Sequence, residues 1–94
     1  MTDLQKQVAD FDPRRKRLYF RMHHCGIREN DLILGGFAEH RLAGLGDDQL
    51  GMLEKLLEEN DHDIYLWLNA AKPVPDHVKT KIFQDIIEFK DSLT

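Results

Sequence analysis

Three side chains able to bind a metal or act as a nucleophile stand in a row at His23, His24 and Cys25. A glycine, Gly26, follows at once, and two carboxylates, Glu29 and Asp31, come just after, in the stretch Cys25-Gly26-Ile27-Arg28-Glu29-Asn30-Asp31. The chemistry on offer is zinc coordination, thiol catalysis or the docking of a partner. Spacing argues against zinc. Consecutive residues of a helix point about 100° apart, so His23, His24 and Cys25 do not converge on one ion. His40, His62 and His77 stand singly on other segments, with no CxxC or HxxxH spacing anywhere. Thiol catalysis is no better supported. The C-terminal end of a helix raises a thiol pKa, and no base with an orienting Asn or Asp is identifiable around Cys25. We expect no catalytic residue and no metal site. For docking, Gly26 lets a partner backbone come close, while Arg28, Glu29 and Asp31 supply directional charge. The plainer alternative is that Gly26 only stops a helix and the two acids only complement a helix dipole.

The elements that must hold these residues read as helices. Asp12 is positioned to cap a first helix with Pro13 at its first position and Leu18, Tyr19 and Met22 as its apolar stripe. A second should start near Arg28 and reach Leu42, with Leu32, Ile33, Leu34, Phe37, Ala38 and Leu42 at helical spacing. Gly35 and Gly36 each cost it roughly 1 kcal/mol against alanine, and mark close packing or a kink. Asp47 can cap a third helix carrying Leu50, Leu53, Leu56 and Leu57, and Asn60 or Asp61 a short fourth around Ile64, Tyr65, Trp67 and Leu68. The last is expected from about Pro75, with Val78, Ile82, Phe83, Ile86 and Phe89 facing inward. No segment alternates like a strand. The expected fold is all-α: a single small five-helix bundle over 13–94, preceded by a flexible tail over 1–12, with Trp67 and Phe83 in its core.

Composition narrows the setting. The 94 residues suffice for one domain, 41% hydrophobic and 32% charged. Such a chain buries ~60–65% of its unfolded surface, enough for a modest core. A lone cysteine excludes an internal disulfide and suits a reducing compartment. No apolar run approaches the ~20 residues of a membrane span. The amino end lacks a signal-peptide stretch, so a cytoplasmic location without membrane insertion is expected. The net charge of −4 is unevenly spread: residues 1–28 hold seven Lys/Arg against three acids, and residues 29–94 hold six against fourteen. The basic first helix, with Arg14, Arg15, Lys16, Arg17 and Arg21 around aromatics, keeps open a small regulatory protein that binds nucleic acid or a toxin partner there.

Two blocks carry a family resemblance. Gly26-Ile27-Arg28-Glu29-Asn30-Asp31-Leu32-Ile33-Leu34, followed by Phe37, resembles the signature segment of the succinate dehydrogenase FAD-assembly factors, in which Arg-Gly-x-x-Glu leads into an apolar helix. Leu56-Leu57-Glu58-Glu59-Asn60-Asp61-His62-Asp63-Ile64-Tyr65-Leu66-Trp67-Leu68 resembles that family's second segment, and the likeness covers roughly residues 14 to 90. The resemblance implies a monomeric assembly factor, not an enzyme in the usual sense. It would bind the flavoprotein subunit of succinate dehydrogenase, and in some bacteria fumarate reductase, and promote covalent attachment of FAD to a client histidine. It would bind no cofactor stably and act on the client's FAD; no nucleic-acid partner is expected on this reading. Carried over residue by residue, the motif glycine falls on Gly26, its glutamate on Glu29 and the following acid on Asp31. The motif arginine falls on Cys25, a departure, because a thiol offers one weak donor where a guanidinium offers five. Either docking proceeds without that contact or a neighbour such as Arg21 or Arg28 replaces it; if the departure is a loss, Cys25→Arg should preserve or improve client binding.

Overall fold

The computed structural model describes residues 7–93. Its long elements are α1 (Pro13–His23), α2 (Arg28–Arg41), α3 (Asp47–Leu57), α4 (Asp61–Leu68) and α5 (Lys81–Ser92), with a short 3-10 turn at Leu42–Gly44 between α2 and α3. No strand occurs among the described residues, and no helix among them is long and apolar enough to cross a membrane. The all-α reading holds. Of the expected tail, residues 1–6 lie outside the described residues. Within 7–12 the chain is packed at two points: Phe11 is buried and meets Tyr19 edge-on at 6.1 Å, and Val8 is half-buried against the core. The packed body therefore begins before Pro13.

The helix starts differ from expectation in instructive ways. Asp12 does occupy the cap position of α1, but its carboxylate accepts from Arg15 at 2.9 Å and makes no bond to the helix backbone. Asp47 is the first residue of α3, not its cap; Gly46 precedes it, and its N–H donates to the Gln49 side chain. Asn60 caps α4, accepting from the backbone of His62 and Asp63 at 2.9 and 3.3 Å. The last helix begins at Lys81, six residues after the expected start. Pro75 opens only a single turn, closed by Val78 N–H to the Pro75 carbonyl at 2.9 Å. Thr80 then goes extended at ψ 167° and captures the Phe83 N–H with its hydroxyl, which restarts the chain as α5. Val78 thus reaches the core from a turn.

Phe37, Met22, Leu34, Leu42, Leu50, Leu53, Ile64, Leu68, Ile82 and Ile86 form the fully buried centre, with Trp67 and Phe83 buried beside them as expected. Leu32 is the exception on α2. It is 63% exposed because the inward stripe runs through Asn30, Ile33, Leu34, Phe37 and Ala38, leaving Leu32 on the turn above Arg28 and Glu29. Gly35 and Gly36 mark close packing. A Cβ on Gly35 would lie 2.9 Å from the His23 ring of α1, and one on Gly36 3.2 Å from the Phe89 ring of α5. His23 cannot easily yield, since Nδ1 meets the Tyr19 carbonyl at 2.8 Å and Nε2 meets Glu39 at 3.1 Å. The helical cost of both glycines is offset by two helices approaching closely.

α4 ends in a Schellman closure, with Ala71 N–H on the Leu66 carbonyl at 2.9 Å and Ala70 N–H on the Trp67 carbonyl at 3.2 Å. That closure puts Ala70 at φ 56°, a left-handed conformation that glycine adopts without the Cβ penalty. Ala70→Gly should therefore stabilise the chain by about 0.5–1 kcal/mol, after the entropy that glycine adds to the unfolded state. A thermal melt should show Tm rising by a few degrees; a fall would mean the αL strain is not real.

Candidate functional site

The sequence places its chemistry where α1 hands over to α2, and the handover is built around one aspartate of α4. α1 ends at His23, and its cap His24 donates its N–H to the Arg21 carbonyl at 3.2 Å. Gly26 then turns the chain at φ 79°. A Cβ there would sit 3.6 Å from Asp61 Oδ2, an ordinary contact, so it is the left-handed backbone and not crowding that calls for glycine. α2 starts at Arg28 with Glu29 and Asp31 in its first turn, where the helix dipole favours anions.

Asp61 is the anchor. Its carboxylate accepts from the Arg21 guanidinium at 2.9 Å, and its backbone carbonyl accepts from the Asn30 side-chain amide at 2.8 Å. Arg21 also donates to the Leu57 carbonyl at 3.2 Å. Asn30 is fully buried, so its hydrogen bond is made largely away from competing water; a bond of this kind contributes about 1 kcal/mol net. The Arg21–Asp61 pair is about a third exposed at each side chain, and such pairs contribute about 1 kcal/mol at most. The two resembling sequence blocks, far apart along the chain, therefore meet in space at Asp61.

Six residues were expected to contact a partner, and they divide into two groups. Gly26, Arg28 and Glu29 lie exposed on the corner, and Arg28 and Glu29 make no ion pair with any described residue. The other three face inward. Asp31 accepts from the Cys25 N–H at 2.6 Å and so braces the loop. Arg21 is engaged by Asp61 and is not free to replace a motif arginine. Cys25, expected at the partner surface, is instead 1% exposed, with its thiol directed at the Arg21 and Met22 carbonyls, so its side chain belongs to the core. An arginine at this position would have to bury its charge or force the corner open, so Cys25→Arg is no longer expected to improve binding. Asn30 and Asp61 were missed by sequence reasoning. The available signal was a polar residue on the apolar stripe of α2, three and four residues before Ile33 and Leu34.

Burial pushes the Cys25 thiol up from 9.0 to about 11, with Asp31 and Asp61 adding to the rise and Arg21 opposing it. The expected direction holds, but desolvation leads where a helix end was invoked. The thiolate fraction at neutral pH is then lower by about two orders of magnitude than in the unfolded chain. A disulfide reagent should label Cys25 roughly 100-fold more slowly in the native protein than in denaturant; equal rates would contradict the burial. Because the native state holds this proton more tightly, the group's contribution to stability is complete below pH 9 and is lost as pH climbs to about 11. Among the described residues no group of three or more His, Cys, Asp or Glu is placed to hold a metal ion.

Comparison with known proteins gives a consistent set of relatives. Residues 16–90 match the model of a family described as flavinator of succinate dehydrogenase. The chain is 35% identical over 95 residues to mitochondrial succinate dehydrogenase assembly factor 2 of Debaryomyces hansenii, covering 94% of this chain and 67% of that protein. It is 34% identical over 96 residues to the protein of the same name in Saccharomyces cerevisiae strain YJM789, covering 98% of this chain and 59% of the relative. A third similarity, 33% over 75 residues, is to the FAD assembly factor SdhE of Acetobacter pasteurianus, covering 80% and 69% of the two chains. The chain thus spans about two thirds or less of the length of the fungal relatives.

Proposed function

Because this chain belongs to the family described as flavinator of succinate dehydrogenase, we propose that it binds the flavoprotein subunit of that enzyme and promotes covalent attachment of FAD to a client histidine. The observation that carries the reading is the corner at Gly26–Glu29, exposed at its tip and anchored beneath by Asp61. An exposed carboxylate without an internal partner, beside a backbone without a side chain, suits close contact with another protein. The chain acts as an assembly factor. The bond forms between the flavin and the client, so this protein needs no nucleophile of its own, and its one thiol is buried. It holds no cofactor stably and acts on FAD already seated in the client.

The physical work is a shift of population. If the client visits its bond-forming conformation rarely, a helper that binds that conformation about 10⁴-fold better takes it from 1:99 to 99:1. Nothing need be broken or made on the helper. The same mechanism would serve fumarate reductase, and we propose a monomer acting in the cytoplasm, which the lone reduced cysteine suits.

The test is direct. A strain deleted for this chain should make flavoprotein subunit without covalent flavin, seen as loss of in-gel flavin fluorescence under denaturing conditions, and re-expression should restore it. The purified chain should also form a 1:1 complex with the subunit. Absence of any complex with flavin-loaded or flavin-free subunit overturns the reading.

A further inference from the structure

The corner is too small to hold a client by itself. A specific interface takes about 800 Å² from each partner, on the order of one seventh of this chain's 5834 Å², whereas Gly26–Glu29 is four residues. The neighbouring surface must contribute, and one face next to the corner has the required chemistry.

That face is the outer side of α1. Lys16, Arg17, Phe20 and His24 follow each other at helical spacing and are all exposed. Phe20 is 65% exposed, the most exposed large apolar side chain described. Its ring is not loose: it stacks on His24 with centroids 4.3 Å apart, and His24 is two residues from Gly26. The basic residues of this helix divide by role. Arg14 is bound by Glu54 through two contacts at 2.6 and 3.1 Å, Arg15 by Asp12 and the Leu42 and Leu45 carbonyls, and Arg21 by Asp61. The Lys16 side chain is exposed and makes no hydrogen bond or ion pair with any described residue. Arg17 only feels the field of Glu54, which already belongs to Arg14.

We propose that this face of α1 is the second half of the docking surface, and that its partner is an acidic patch with an apolar socket for Phe20 on the flavoprotein subunit. The inference rests on the function proposed above. An anchored aromatic at a rim of unpaired cations is the usual make-up of a binding hot spot and its steering charges. A polynucleotide fits less well. Lys16, Arg17 and Arg28 are few beside the 6–10 phosphate contacts of a typical nucleic-acid binder, and residues 29–94 carry a net −8 that repels a polyanion.

The experiment measures binding of purified flavoprotein subunit to the wild-type chain and to Phe20→Ala, Lys16→Glu/Arg17→Glu, Glu29→Ala and Lys55→Glu, at low and high salt. Thermal melts confirm that each variant folds. Phe20→Ala should weaken binding about tenfold or more. The double charge reversal should slow association by about tenfold at low salt and flatten its salt dependence. Lys55→Glu, an exposed cation on α3, should bind as wild type. If Phe20→Ala and the double variant bind normally while Glu29→Ala does not, the corner stands and the α1 face is wrong. If the wild type binds no subunit, the function itself falls and this inference with it. Salt-sensitive binding to duplex DNA or RNA that Lys16→Glu/Arg17→Glu removes, or a dimer that Phe20→Ala dissolves, would give the face another occupant and overturn the proposal.

Discussion

In a strain carrying only the Glu29→Ala variant, the flavoprotein subunit is expected to show little or no covalent flavin, although the variant protein accumulates and melts near the wild-type temperature. The two halves of that result have separate causes. Glu29 is exposed and makes no ion pair with any described residue, so its removal costs the fold only its share of the α2 dipole, about 0.3–1 kcal/mol. Asp31 remains in the same turn. Binding is another matter, because a central interface carboxylate that loses its partner contacts weakens affinity by about 2–4 kcal/mol, roughly 30- to 1000-fold. Gly26 separates conformation from bulk. Gly26→Ala adds a Cβ at φ 79°, where, adjoining residues aside, the nearest described atom is Asp61 Oδ2 at 3.6 Å, and should cost about 1–2 kcal/mol of stability for the left-handed backbone. Gly26→Arg adds that same strain and a side chain that projects into the partner or competes with Arg21 for Asp61. It should abolish complex formation, while Gly26→Ala keeps measurable binding. Normal in-gel flavin fluorescence with Glu29→Ala would remove Glu29 from the site. Equal binding by both Gly26 variants would show that the glycine answers only to its own backbone.

Phe37→Ala is expected to unfold a large part of the population at 37 °C, and to lose function only for that reason. Phe37 is fully buried on α2, edge-on to Phe89 of α5 at 5.9 Å, with the Arg41 guanidinium 5.5 Å from its ring centre. Removing such a ring costs about 3–5 kcal/mol in transfer energy and residual cavity. A domain of this size has only about 5–10 kcal/mol in all. Denaturant unfolding should therefore show a midpoint reduced by half or more with little change in slope. Phe37→Leu, which keeps most of the volume, should recover much of the loss. A loss of unfolding free energy under about 1 kcal/mol would mean that α2 and α5 do not share this core.

How far these features could be read beforehand depends on the range of the interaction. The inward faces of α3 and α4 were legible because Leu50, Leu53, Leu56, Leu57, Ile64, Trp67 and Leu68 repeat at helical spacing, and a period needs no knowledge of the neighbour. Leu32 was misjudged because it is apolar and adjacent to two core residues; only the angle of α2 to the rest decides that Asn30 turns inward and Leu32 outward. The start of α5 was misplaced for a local reason. Pro75 is a good first residue of a helix, but Thr80 is a better cap, and the four intervening residues gave no rank between them. At the corner, Gly26 and Glu29 were visible as a motif. The inward roles of Cys25, Asp31 and Arg21 were not, since each depends on a partner up to forty residues away.

Asp61 carries a thermodynamic consequence for the partner. An edge resting on an ordinary surface loop would have to be frozen at the moment of contact, at a cost of about 0.5–1.5 kcal/mol for each side chain immobilised. Here one residue of α4 grips both sides of that edge, through its side chain to Arg21 and its main chain to Asn30. The entropy of ordering it is lost once, when the chain folds, and is not charged again to each encounter. A small body with four residues at its tip can thereby turn more of its contact energy into affinity.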